Sequence, residues 1–276
     1  MLTITTCLAY PEPPSNLLPL ADALTRDGIP TAFAPWQNRP KSAFILPLCA
    51  WDYAAEPEAF GQWLTEAEAC GQKFINPVGL MRWNMDKRYL CDLAEWGADV
   101  IPSVQTSSEK EKLEDILKNQ SWREAVVKPV IGQSGRGVAK IRAGEVSLKA
   151  EDYPQGVIVQ PYIREIETAG ETSLVFLDVR FSHAVLRMPP QGEWRANSAY
   201  GVAVSPAAPP EKAIETARQI LSMLPEIPAY ARIDGTLIGD RLLLNELELV
   251  EPALYLHTAE NAVADMVQAV KRVIAG

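Results

Sequence analysis

The chain has only two histidines, His183 and His257, among its 276 residues. Zinc sites and serine-type triads both draw on imidazole, so neither is well supplied. The four cysteines, Cys7, Cys49, Cys70 and Cys91, form no CxxC pair and lie in apolar or helical surroundings. They read as small core residues in a reducing cytoplasm, not as metal ligands or a disulfide frame. No run of about 18 apolar residues occurs, so no membrane-spanning helix is expected. Met1–Leu20 lacks a basic start and is interrupted by Pro11, Pro13, Pro14 and Pro19, so it does not read as a signal peptide. Basic tracts are missing too. The 26 Lys and Arg stand against 35 Asp and Glu, for a net charge of −9. That balance argues against a nucleic-acid or membrane partner. It leaves room for one small nucleotide in a locally positive pocket.

What is present is a globular chain, 47% hydrophobic and 22% charged, able to bury a sizeable core. Over residues 1–75 short strands alternate with helices: Leu2–Leu8, a helix capped by Ser15 through Arg26, Thr31–Ala34, Ala43–Leu48 and an amphipathic helix Glu58–Cys70. Alternation of this kind predicts a small parallel sheet. A helix over 84–97 follows, started by Asn84 and stopped by Gly97, then a charged helix Glu109–Asn119 and strands Ala125–Val130, Gly137–Arg142 and Val157–Gln160. Beyond residue 171 the runs Ser173–Asp178, Ser182–Arg187, Tyr230–Leu237 and Arg241–Leu249 alternate like antiparallel strands, with helices at Glu211–Leu224 and Ala259–Ile274.

Two segments carry chemistry. In the first, strand Val126–Lys128 runs into Pro129 and the loop Gly132-Gln133-Ser134-Gly135-Arg136-Gly137. Glycines let the backbone approach a phosphate, and Lys128 would add a point charge. No GK[ST] follows, and the order is GxxGxG before a strand, so the loop is neither a Walker A loop nor a dinucleotide fingerprint. A plain β-hairpin would need glycines at the same places. The second segment joins Arg232-Ile233-Asp234 to Asn245-Glu246-Leu247-Glu248-Leu249. Residues two apart share a strand face, so Glu246 and Glu248 project together while Leu247 and Leu249 face the core. Asp234 on the preceding strand reaches the same place. Three carboxylates repel unless a cation lies among them, and hard oxygen donors favour Mg²⁺, with Mn²⁺ as the substitute. A solvated strand face, with Arg232 neutralising Asp234, would look alike.

Taken in order, these segments resemble the ATP-grasp superfamily, in particular the branch of bacterial glutathione synthetase and the ribosomal-protein glutamate ligase, over about Asn76 to Pro252. Asn76-Pro77 and Asn84-Met85-Asp86-Lys87 resemble the approach to the first ATP-contacting lysine, and Lys128 with Gly132–Gly137 resembles the second lysine and the mobile phosphate loop. Gln160-Pro161-Tyr162-Ile163 resembles the hinge whose backbone reads adenine. Glu171 is at the place of an acidic, often ribose-binding residue, and Glu165 competes for that role. Arg195-Ala196-Asn197 resembles the Arg-x-Asn segment near the γ-phosphate. Asp234, Glu246 and Glu248 match the metal positions, with Glu-x-Glu where the superfamily usually has Glu-x-Asn. Trp51-Asp52-Tyr53 and Trp83-Asn84 give a looser likeness to small ATP-grasp proteins that include the D-cycloserine-forming ligase, although Trp51 and Tyr53 also read as plain core aromatics.

The resemblance implies an α+β fold in three parts: a small parallel α/β N-terminal domain (1–80), an α+β lid subdomain with its linker helix (81–160) and an antiparallel-sheet core domain (161–276). It also implies an ATP- and Mg²⁺-dependent carboxylate–amine ligase, working through an acyl phosphate in the cytoplasm as a homodimer, on a small carboxylate and a small amine. Lys87 and Lys128 would orient phosphates. Arg195 and Arg232 would stabilise the transferring phosphoryl group and the tetrahedral oxyanion, and Arg136 would touch either the γ-phosphate or solvent. His183 reads as structural, and His257 competes for the pocket wall. No motif in residues 1–75 or in Met188–Tyr200 specifies the acid or the amine. An ATP-binding regulator without turnover, or a phosphotransferase that stops at a phosphorylated product, would carry the same nucleotide motifs.

Overall fold

The computed structural model describes residues 1–276, which form three sheets in chain order. In the first, β1 (Leu2–Thr6), β2 (Thr31–Pro35), β3 (Phe44–Leu46) and β4 (Lys73–Phe74) run parallel in the order β2-β1-β3-β4. Every residue of β1 is buried, as expected of a parallel strand covered on both faces. Helix α1 (Leu18–Arg26) packs Leu20, Ala21 and Leu24 inward. Ser15 makes no capping bond: a 3₁₀ turn over Ser15–Leu17, followed by Pro19 in the first turn, sets the start of the helix instead. Helix α2 (Pro57–Ala69) buries Phe60, Trp63, Leu64 and Ala67, the face its spacing predicts. These meet Trp36, whose ring stands edge-on to Phe60 at 5.1 Å between centroids. Cys7 and Cys49 are core residues, but Cys70 is exposed beyond the end of α2 and Cys91 is half-buried.

Of the helix expected over 84–97 only α4 (Tyr89–Glu95) forms, and α3 (Val78–Asn84), which the sequence reading did not include, ends where that helix was to begin. Two bonds explain the break. The Asp86 carboxylate accepts from Arg88 N at 3.0 Å, a local turn that competes with helix. Lys87 N donates to Val130 O at 2.7 Å instead of to its own helix.

The second sheet is antiparallel, in the order β5-β8-β6-β7, from β5 (Val104–Thr106), β6 (Glu124–Pro129), β7 (Ala139–Arg142) and β8 (Val157–Pro161). Helix α5 (Lys110–Asn119) covers one face with Leu113 and Leu117, which pack with Ala125, Val127, Val157 and Val159. Val126 and Lys128 point to the other face.

The third sheet is antiparallel in the order β11-β10-β9-β12-β13. Its strands are β9 (Glu171–Leu177), β10 (Arg180–Met188), β11 (Ala203–Ala207), β12 (Tyr230–Ile238) and β13 (Arg241–Glu248). A short helix α6 (Ile166–Ala169) leads into it. Leu174 and Phe176 face α7 (Glu211–Ser222), while Val175 and Leu177 face α8 (Ala262–Ala275). The α8 side also takes in Leu2, Ile4, Leu20 and Leu24, so the first sheet and the back of the third share one core. β11 was not expected from the sequence, since its five residues are exposed or half-buried and carry no hydrophobic alternation.

β13 is an edge strand, and an open edge is a liability. Here a backbone bridge from Asp99–Ile101 to Leu244 and a set of side chains close it. Asn84 donates to Leu247 O (2.7 Å) and accepts from Leu249 N (2.7 Å), and Tyr89 bonds the backbone of Leu247 in both directions. Asn76 joins Leu249 O to Tyr230 O and accepts from Ala229 N. The two asparagines therefore serve as backbone clamps that fix the strand bearing the carboxylates. No helix is long and apolar enough to cross a membrane.

Candidate active site

The second and third sheets, with loops that follow β1 and β3, border one cavity of about 590 Å³, within the usual range for a small-molecule site. The second sheet supplies Lys128, the glycine loop and the strand end Gln160–Ile163, and the break between α3 and α4 supplies Lys87. The third sheet supplies Glu171, Arg187, Arg232, Asn245, Glu246 and Glu248. The lysines and the carboxylates that the sequence pairs thus meet at a single place.

Both lysine side chains are buried. Lys87 forms an ion pair with Glu246, and Lys128 donates to Asn245 Oδ1 at 2.6 Å. Burial pulls Lys128 below its ordinary range, helped by repulsion from Lys87. Burial works on Lys87 too, but the adjoining Glu246 outweighs it and its pKa rises.

Behind the lysines lies a chain of buried charges. Arg187 spans Glu171 and Asp234, reaching Asp234 Oδ2 at 2.7 Å. Arg232 grips both Asp234 oxygens (2.9 and 2.8 Å), pairs with Glu248 across the strand and donates to Ala253 O at 3.1 Å. Asp234 is pulled down to about 2: burial opposes ionisation, but Arg187 and Arg232 overcome it. Glu248 is pushed up to about 7, by burial first and then by the charges of Asp234 and Glu246. Glu251 is driven well above the carboxylate range, by burial and then by Glu248.

Strand parity placed Glu246 and Glu248 correctly, with Leu247 and Leu249 in the core. It did not place Asn245. Asp234 pairs with Glu246 but Gly235 pairs with Leu244, so Asn245 is an extra residue in β13. The bulge turns Asn245 into the cavity, where its amide reaches Glu171. Gly235 is required there, since a Cβ would lie 2.5 Å from Leu243 O.

The glycine loop folds over the cavity. Tyr200 donates to Gly135 O at 3.1 Å and Tyr153 to Gly137 O at 2.8 Å. Gly135 has φ of +72°, and a Cβ there would meet Asn197 Oδ1 at 2.7 Å. Gly132, Gln133, Ser134 and Gly137 line the same cavity. Arg136 borders it but is exposed. At the hinge, Pro161, Tyr162 and Ile163 border the cavity, while the Gln160 amide donates to Ser103 Oγ at 3.0 Å.

Several expected residues stand differently. Glu165 is exposed at the start of α6, away from the cavity, because the chain turns back there toward Gly170. Glu171 lines the cavity, with its oxygens engaged by Arg187 and Asn245. Arg195 borders the cavity but is paired with Glu193 (2.7 Å) and lies 3.7 Å above the Tyr200 ring. The same pairing pulls the Glu193 carboxyl down to about 2. His183 is structural, bonded to Leu254 O at 2.9 Å, and His257 is exposed. Trp51 and Tyr53 both border the cavity, and Tyr53 is buried as well. Sequence reasoning missed Arg187, Asn245, Glu251 and Tyr255. An arginine in the apolar run Ala184–Met188 was the one available signal for the first.

As a Mg²⁺ site, the donor chemistry fits in part. Glu246 and Glu248 keep 23% and 25% of their side chains open to the cavity, whereas Asp234 keeps 1% and is closed off by two guanidinium groups. No three acidic, His or Cys side chains are gathered as a ready cage. Glu246 and Glu248 are thus the hard-oxygen pair able to receive the ion.

Two antiparallel sheets closing on one cavity, with a phosphate-type loop on one and carboxylates on the other, define the ATP-grasp class, and comparisons agree. Residues 92–253 match the family "Prokaryotic glutathione synthetase, ATP-grasp domain", and residues 2–76 match the N-terminal domain of the D-cycloserine synthetase DcsG. The cycloserine biosynthesis protein DcsG of Streptomyces lavendulae is 25% identical over 283 residues, 92% of each chain. A crystal structure of the D-cycloserine synthetase DcsG superposes with a TM-score of 0.82 at 24% identity, covering 99% of both chains. The D-alanine–D-alanine ligase of Bacillus anthracis superposes with a TM-score of 0.65 at 13% identity, over 99% of this chain and 96% of that one. The chain belongs to the prokaryotic glutathione synthetase ATP-grasp family and is an ATP-dependent ligase that forms amide bonds on small substrates.

Proposed function

We propose that the reaction is carboxylate–amine ligation through an acyl phosphate, on small substrates of the amino-acid class. A substrate carboxylate oxygen attacks the γ-phosphorus of ATP, the bond to the β-phosphate oxygen breaks and ADP leaves. The amine nitrogen then attacks the acyl carbon, phosphate departs and the nitrogen gives up a proton. Lys87 and Lys128 hold phosphate oxygens, and Arg187 and Arg232 face the transferring group from the third sheet. The hinge Gln160–Ile163 takes the adenine, while Glu171, both of whose oxygens are engaged by Arg187 and Asn245, is not free to take the ribose. The loop Gly132–Gly137 excludes water that would hydrolyse the acyl phosphate. Glu246 and Glu248 would hold Mg²⁺, which would supply positive charge to offset that of the phosphates during transfer. Use of ATP places the work in the cytoplasm.

The observation that carries this reading is the meeting of Lys87, Lys128 and Glu246 at one cavity under the glycine loop. Its test is product analysis. ADP and phosphate should appear only when both a carboxylate and an amine are supplied. AMP and pyrophosphate would overturn the reading, and an accumulating phosphorylated small molecule would make the protein a phosphotransferase. Lys128→Ala should lower turnover by about 10²–10³-fold. Its thermal midpoint should not fall, because the ammonium is held below its ordinary pKa by burial.

A further inference from the structure

On β13 two successive side chains, Asn245 and Glu246, open onto the cavity. Regular strand parity would turn Asn245 to the side of Leu247 and Leu249; the extra residue in the register with β12 turns it to the cavity instead. There its amide is bonded at both ends. The Nδ2 group donates to one oxygen of Glu171, whose other oxygen is held by Arg187, which is held in turn by Asp234. The Oδ1 atom accepts from Lys128 Nζ at 2.6 Å. A primary amide has one accepting and one donating end, so a carboxylate on one side and an ammonium on the other fix which way it points. Asp234, Arg187, Glu171, Asn245 and Lys128 form one bonded row that runs from the third sheet to the second.

The two lysines differ in what holds them. Lys87 is paired with Glu246, which cancels its charge, and its own backbone N–H is tied to Val130. Lys128 stands on β6, is buried and forms no ion pair; Asn245 Oδ1 is its one hydrogen-bond acceptor in the protein. A lysine stem is flexible, and a loose ammonium has to be ordered when an anion arrives. An amide oxygen from the facing sheet orders it in advance. Unlike a carboxylate, the amide leaves the positive charge available to an incoming phosphate. Burial makes that charge act strongly, because little solvent screens it.

We infer that Asn245 is a positioning residue for the nucleotide: acting through Lys128, it sets the ammonium where phosphate oxygens arrive and leaves its charge uncancelled. The inference rests on the ligase reading, in which Lys128 holds phosphate oxygens, and adds to it a residue that works on that lysine from the opposite sheet.

The test is a double-mutant cycle on the full chain, read as calorimetric binding of a non-hydrolysable ATP analogue with Mg²⁺. Lys128→Met should weaken binding about 100-fold, and Asn245→Ala about tenfold. In the Lys128→Met background, Asn245→Ala should change binding less than about threefold, because the group it acts through is gone. A loss of the same factor in both backgrounds would overturn the inference, since neither a direct contact with the nucleotide nor a general loosening of β13 depends on Lys128. Undiminished binding by Asn245→Ala in the wild-type background would overturn it too. Asn245→Ser, whose hydroxyl is too short to join Glu171 to Lys128, carries the same cycle if the alanine variant does not fold. A second readout needs no nucleotide. In ¹H–¹⁵N spectra of lysine-labelled protein, the ammonium signal that Lys128→Met removes should exchange slowly with solvent in the wild type and faster in Asn245→Ala; equal exchange in the two would overturn the inference. Failure of the ligase reading would look different: Lys128→Met would bind the analogue as tightly as wild type, while the Lys128 ammonium signal would still depend on Asn245.

Discussion

The second and third sheets face the same cavity but hold their functional groups in opposite ways. On the third sheet every charge is fixed by another: Arg187 and Arg232 each grip two acids, and the strand that carries Glu246 and Glu248 is clamped along its edge by Asn76, Asn84 and Tyr89. On the second sheet the glycine loop hangs from two tyrosine hydroxyls, and Lys128 has one partner, Asn245, which belongs to the other sheet. Buried reciprocal ion pairs resist displacement because removing one member strands the other. Single bonds to loop carbonyls are worth far less. One sheet is a frame, and the other is a cover whose hold can be exchanged for a ligand's.

Arg187→Met should test the frame most severely. It leaves Glu171 and Asp234 buried without their shared cation and should cost about 3–5 kcal/mol in urea unfolding. A variant as stable as wild type would show that the network is not the frame. Asn84→Ala comes next. It orphans Leu249 N and leaves Leu247 O to the Tyr89 hydroxyl alone, at about 2 kcal/mol, and should speed hydrogen exchange along β13 before any other strand. Tyr200→Phe addresses the cover. The lost bond to Gly135 O is worth about 1 kcal/mol. Faster exchange should be confined to residues 132–137, with the global unfolding midpoint unchanged; a lower midpoint would erase the contrast between the two sheets.

The smallest effect concerns His183, on the frame but outside the ion network. Burial lowers its pKa from 6.5 in spite of the Leu254 carbonyl that favours its charged form. The unfolded chain therefore binds more protons than the folded one between that lowered value and 6.5, so this contribution is complete above 6.5 and is lost as the pH falls below it. Replacing His183 by Asn should flatten the stability profile between pH 7 and lower values, read as urea midpoints.

Much of this was legible in the chain. α2 could be read from Phe60, Trp63, Leu64 and Ala67 because a helix face needs only local spacing. The pairing of Glu246 with Glu248 could be read because strand parity is likewise local, and the loop from Gly132 to Gly137 could be read because glycine marks a backbone requirement directly. Asn245 could not, because the bulge that turns it inward exists only when β13 is registered against β12. The split at Asp86–Arg88 depends on Val130, a residue far along the chain, taking the Lys87 amide.

The sequence by itself determined which elements form, which faces they bury and that a phosphate-type loop and a carboxylate strand were both available, since these follow from short-range periodicity and residue chemistry. Only the tertiary structure decided that two sheets and the loops of a third meet at one cavity, and which acids there are already neutralised. Charge pairing between strands far apart in the chain is set by sheet order and register, and no local pattern encodes either.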